Sequence, residues 1–217
     1  MFIGHYGVAL AAKRVSPRTS LGALVFGAQF LDLLWPILLL TGTEHVAVAP
    51  GLMQANQLDF VHYPWSHSLL MAIVWGLLVG MCWWVATRNR RAALTVGLLV
   101  PSHWVLDLLM HRPDLPLWPP NGPTVGLGLW HSLPLTLIIE FALLGAGLWV
   151  YLRMTRARDR VGSIAFWALI VLLTGFYLGG EFGPPPPSVS ALAYGGLMMW
   201  LLVPWAWWAD RHRDLVA

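Results

Sequence analysis

Charge is scarce in this chain, and cysteine is almost absent. Asp, Glu, Lys and Arg make up 11% of the 217 residues and hydrophobic residues 58%, far from the balance of about one quarter charged in soluble domains. That scarcity excludes a water-soluble globule. The single cysteine, Cys82, excludes an intrachain disulfide and a thiolate-rich metal site, so any metal must be held by His and carboxylate. The formal charge of +3 does not indicate nucleic acid, because the basic residues sit in short clusters between apolar runs and read as topology signals.

What is present in abundance is apolar sequence. Runs of about 20 residues, enough to span ~30 Å of hydrocarbon as helix, predict six crossings near residues 20–40, 66–86, 92–110, 128–152, 161–182 and 189–209. The expected fold is all-α, a six-transmembrane-helix bundle forming one integral membrane domain over residues 1–217. With both termini cytoplasmic, twelve of the 13 Lys and Arg residues fall inside and only Arg112 outside, as the positive-inside rule requires. The location implied is the inner (plasma) membrane. Residues 1–12 are apolar without a preceding basic region and are followed by Lys13 and Arg14, the reverse of a secretory leader, and are expected to be retained. They are too short to span. Two placements follow: a re-entrant half-helix that rises into the bundle, or a helix flat on the cytoplasmic surface.

Two outer connections, Thr41–Trp65 and His111–Leu127, are rich in Pro, Gly and aromatic residues and are expected to fold over the helix ends. Under this topology His45, His62, His67, His103, His111 and His131 lie on the outer side. Asp32, Asp107 and Glu140 fall within apolar spans, where an unpaired ionised group costs several kcal/mol. His103 and Asp107 are four apart on the third span, about 40° round a helix, and His111 extends the same face by one turn. A carboxylate stacked on an imidazole is either half of a metal site or a hydrogen bond joining helices. His62 and His67 flank Pro64 at the entrance to the second span, where they offer two further ligands or two interfacial groups. Asp32 lies ~15–18 Å up the first span. A half-helix would lift His5 ~12 Å toward that level. His131 opens the fourth span, with Glu140 about opposite it round the helix.

His5, Asp32, His62-x4-His67-Ser68 and His103-x3-Asp107 followed by a Pro/Trp-rich loop resemble the membrane-bound metal-dependent hydrolases, the YdjM-like proteins, over roughly the first 120 residues. That family is in turn distantly similar to zinc-dependent phospholipase C. The resemblance implies that His5, Asp32, His67, His103 and Asp107 are metal ligands, with His62 a ligand or a group behind one. Tyr63-Pro64 stands where the family's motif has Arg-Gly, and Ser66 where it has Thr. The expected activity is hydrolysis at the outer leaflet with one or two divalent ions, most plausibly zinc. Membrane lipids are the expected partners, with a lipid or lipid-linked ester or phosphoester as substrate and no nucleic acid, and His111 or His131 moves protons. The alternatives are a metal-ion or small-solute transporter and a metal-binding structural subunit of a membrane complex.

Overall fold

The computed structural model describes residues 1–216. The chain runs α1 (Ile3–Ala11), α2 (Leu21–Leu40), β1 (His45–Val48), β2 (Leu58–His62), α3 (Pro64–His67), α4 (Leu69–Thr87) and α5 (Arg90–Met110). It continues through β3 (Leu115–Pro116), β4 (Thr124–Val125), α6 (Leu133–Met154), β5 (Thr155–Ala157), α7 (Arg160–Phe182), α8 (Val189–Leu197), α9 (Leu202–Arg211) and β6 (Arg213–Leu215). Among the described residues six helices are long and apolar enough to cross a membrane: α2, α4, α5, α6, α7 and the continuous α8–α9 rod.

Two expected starts move. The second span begins at Leu69 instead of Ser66, because α3 stops at His67 and Ser68 turns extended (φ −79°, ψ 150°). Ser68 then caps α4, its hydroxyl accepting from the Met71 N–H, which satisfies a donor the new helix leaves free. The fourth span begins at Leu133 instead of Gly128. Gly128 sits at φ +74°, outside the helical region, and a 3-10 turn over Leu129–His131 precedes the helix. The two long connections fold back as expected: β1 pairs antiparallel with β2, β3 with β4, and the Gln54 and Ala55 N–H groups donate to the Trp130 carbonyl.

Helix contacts are set by small residues. α4 and α5 meet where Gly76 faces Gly97, so that a Cβ on either would lie 2.7–2.8 Å from the other's carbonyl oxygen. α1 lies on α6 more closely still. A Cβ on Gly147 would stand 2.1 Å from the Gly7 carbonyl oxygen, and one on Gly7 2.4 Å from that of Leu143. Such approach lets van der Waals contact hold helices together where no water is displaced.

α1 is tied at both ends. At its start the Phe2 and Gly4 N–H groups donate to the two oxygens of Glu140, each at 2.7 Å, so a carboxylate meets the unpaired N–H groups and positive pole of the helix. Beyond its end Lys13 reaches Asp210 at 2.7 and 2.9 Å and the Thr19 carbonyl at 3.0 Å. Asp210 also accepts from the Tyr151 hydroxyl and the Leu21 N–H. Lys13 is thus an interior anchor, 4% exposed, joining the turn after α1 to α6 and α9. The apolar core then closes over Ile3, Tyr6 and Leu10 with Leu24, Phe166 and Leu173.

The Gly147 contact yields a direct test. Gly147→Ala forces α1 off α6 and should lower stability in detergent by about 1–3 kcal/mol, as overpacking does. Gly145→Ala, with nothing within 4 Å, should leave the unfolding midpoint unchanged or slightly raised.

Candidate metal centre

Four helices converge on one polar cluster in the apolar bundle. α5 supplies His103 and Asp107, α2 supplies Asp32, α3 supplies His67 and α1 supplies His5. Nε2 of His103 lies 3.1 Å from Asp107 Oδ2 and 3.7 Å from Asp32 Oδ1. Nε2 of His67 lies 3.4 Å from Asp32 Oδ1 and 3.9 Å from Asp107 Oδ2. Nε2 of His5 lies 3.2 Å from Asp107 Oδ1, and its ring stacks on that of His103 at 3.6 Å and 9°. The α-amino group of Met1 also reaches Asp107 Oδ1, at 2.7 Å. His5, His103 and Asp107 form one set with ligand atoms mutually within 4.8 Å, and Asp32, His67 and His103 a second.

The protons on two of these imidazoles can be assigned from their outer neighbours. His103 Nδ1 lies 2.7 Å from the Ala28 carbonyl oxygen, which only accepts, so Nδ1 carries a proton and, in the neutral ring, Nε2 a lone pair. For His67 the neighbour is the Ser66 hydroxyl, 2.7 Å from Nδ1. That hydroxyl gives its one proton to Glu44 at 2.6 Å and must accept from His67. Both Nε2 lone pairs therefore point at carboxylate oxygens. His103 Nε2 is buried with no hydrogen-bond partner, the state expected of an acceptor facing acceptors.

A divalent cation would relieve that opposition, and the spacing is compatible with one. Bonds of about 2.0–2.2 Å to N and O put tetrahedral ligand atoms about 3.3–3.6 Å apart, against the 3.1–3.9 Å found between these nitrogens and oxygens. Three imidazoles and two carboxylates are a donor set suited to zinc and other first-row divalent ions. Access is unequal. The side chains of His5, His103, Asp107 and His67 are 1–6% exposed, whereas that of Asp32 is 20% exposed.

Three other residues singled out in the sequence are not brought into these sets. His62 lies on β2 opposite His45, ring centroids 6.3 Å apart, on the far side of the Tyr63 turn. His111 caps the C-terminus of α5, its N–H still donating to the Asp107 carbonyl at 2.9 Å, and its ring is engaged by other partners than the cluster. Its Nδ1 faces Asp114 at 2.9 Å and the Tyr63 hydroxyl at 3.1 Å, and its ring packs on Trp130. His131 is exposed in the 3-10 turn, on the wall of a cavity of about 580 Å³ shared with Gln54, Gln57 and Glu181.

Sequence reasoning missed Glu44, and named Ser66 and Glu140 without their partners. Glu44 is 2% exposed and takes the Trp65 and Ser66 N–H groups at 2.8 Å each as well as the Ser66 hydroxyl. Its only signal was an acidic residue in an otherwise charge-poor loop. Glu140 was legible as an intramembrane carboxylate in need of donors, but the donors are backbone groups that no side-chain pattern marks.

A family model described as YdjM inner membrane protein matches residues 1–181. No curated protein and no solved structure matches the chain.

His111 carries a prediction. Burial holds its imidazole below the usual value of 6.5, with the Asp114 hydrogen bond opposing. Below that pH the unfolded segment binds a proton that the folded one refuses, so stability is present above it and declines as pH falls. Hydrogen exchange across residues 111–127, corrected for intrinsic rates, should quicken between about pH 7 and pH 5. His111→Gln should abolish the dependence.

Proposed function

The chain belongs to the YdjM inner membrane protein family, and from that footing we propose that it is a membrane-embedded, metal-dependent hydrolase acting at the outer leaflet on a lipid or lipid-linked ester or phosphoester. One observation carries the reading: two imidazole lone pairs, fixed from behind, meet two carboxylates across 3.1–3.9 Å with no donor between them. With both rings neutral, those lone pairs face carboxylate oxygens in a buried site, an arrangement that a cation between them would relieve. We assign His5, Asp32, His67, His103 and Asp107 as the residues that would hold one or two zinc ions. Zinc held there supplies a Lewis acid to polarise a phosphoryl or carbonyl oxygen and to make water acidic near neutral pH.

The chain's own groups then have distinct tasks. Asp107 faces His5 with one oxygen and His103 and His67 with the other, so it would offer a ligand atom to either set. Asp32, the most exposed of the five, lies where a substrate would come in. His111, oriented by Asp114, and His131, at the cavity wall, lie outside the ligand sets and are assigned to move protons. The distribution of Lys and Arg supports cytoplasmic termini and a site toward the extracytoplasmic side.

Elemental analysis of the detergent-purified protein tests this. Wild type should carry zinc near one or two equivalents and hydrolyse phospholipid in mixed micelles. Asp107→Ala and His103→Ala should lose the metal, with affinity reduced by more than the ~100-fold that loss of an outer partner causes, and lose turnover with it. Equal, negligible metal in all three would overturn the reading, and so would zinc flux into proteoliposomes without hydrolysis of any lipid.

A further inference from the structure

Behind His67 stands a chain of hydrogen bonds whose direction is set throughout. Glu44, in the turn between α2 and β1, accepts from the Trp65 and Ser66 N–H groups with Oε1 and from the Ser66 hydroxyl with Oε2. Two other acceptors could take that proton: the Tyr63 carbonyl is distant at 3.5 Å, and a neutral imidazole nitrogen competes poorly with a carboxylate at 2.6 Å. The hydroxyl oxygen is left to accept, and what faces it at 2.7 Å is His67 Nδ1. Glu44, Ser66 and His67 are 2%, 0% and 5% exposed, so water does not compete for these bonds.

We propose that Glu44 and Ser66 are positioning residues that hold His67 in the tautomer with Nδ1 protonated, keeping its Nε2 lone pair on the ion site. The consequence for metal rests on the reading of the site given above; the tautomer does not. The same two residues also fix where the ring stands. Glu44 binds the first N–H groups of α3, and Ser66 is the residue next to His67, so ring orientation and proton position are set by one carboxylate on the preceding connection. Outer partners of this kind set the orientation and basicity of a ligating imidazole.

Glu44→Gln reverses the chain while keeping its shape. The carboxamide oxygen can still take both backbone N–H groups, which turns its NH2 onto the Ser66 oxygen. That oxygen then accepts from Gln, its proton swings to His67 Nδ1, and the imidazole proton moves to Nε2, where it points at Asp32. Nitrogen-15 spectra of histidine-labelled, metal-free protein read this directly, with His67→Asn identifying the signal. Wild type should show Nδ1 protonated, and Glu44→Gln should show Nε2 protonated. Competition titration with zinc alone should give affinities about 10- to 100-fold weaker for Glu44→Gln and for Ser66→Ala.

Ser66→Ala keeps both backbone bonds to Glu44 and serves should the Gln variant fail to fold. An unchanged tautomer in Glu44→Gln, or zinc affinity equal to wild type in both variants, overturns the relay. Zinc bound by none of the proteins, with the tautomer switch as stated, overturns the metal reading and leaves the relay standing.

Discussion

Glu140 accepts the backbone N–H groups of Phe2 and Gly4 at the start of α1, and the position of His5 in the cluster depends on that capture. A nine-residue helix is ~13.5 Å long, and its first N–H groups have no partner within the helix. Here they have one on α6. The glycine contact with α6 fixes how closely α1 lies, and the Lys13–Asp210 pair fixes where its far end stops. With start, side and end determined, His5 is brought against Asp107 and stacked on His103. Loosening any one of the three contacts would act on the cluster through His5, although none of them touches the ion site.

Burying two carboxylates beside three imidazoles is costly unless the charges are matched and the remaining lone pairs satisfied. The outer contacts show how the molecule divides that task. His103 is fixed by a backbone carbonyl of α2, a bond that requires α2 and α5 to pack in one register. His67 is fixed by side chains from a loop, through Ser66 and Glu44. The first arrangement is as rigid as the helix pair. The second depends on the α2–β1 turn holding its place, so the loop is part of the centre's geometry and not merely a cover over it.

The spans were legible because length and apolarity decide them, and because Lys and Arg mark the helix ends. The cluster was partly legible for the same kind of reason: His103 and Asp107 are one helical turn apart, and a rigid helix carries that spacing into space unchanged. His111 stands at the end of the same helix, but its ring is taken by Asp114 and Tyr63, partners that periodicity does not report. His67 was placed in the second span, but the break at Ser68 sets its helix at a separate angle from α4. Glu44 and Glu140 were illegible as partners because their donors are hydroxyl and backbone groups, which no pattern of charged residues shows. Lys13 was read as a topology signal alone, yet it is buried against Asp210.

Unequal burial gives the cluster a direction. Four of the ligand side chains are sealed at 6% exposure or less, and the fifth, Asp32, is 20% exposed. α2, which carries Asp32, packs against α1, α5, α8 and α9. In the proposed reaction the ion would be gripped from the closed side by His5, His103 and Asp107, while the open side stayed free for a substrate oxygen. A site sealed all round would suit a structural ion, and one open on both faces would suit a conduit. In the proposed hydrolase, Asp32 would be the ligand a substrate meets first, with the four more deeply buried side chains behind it.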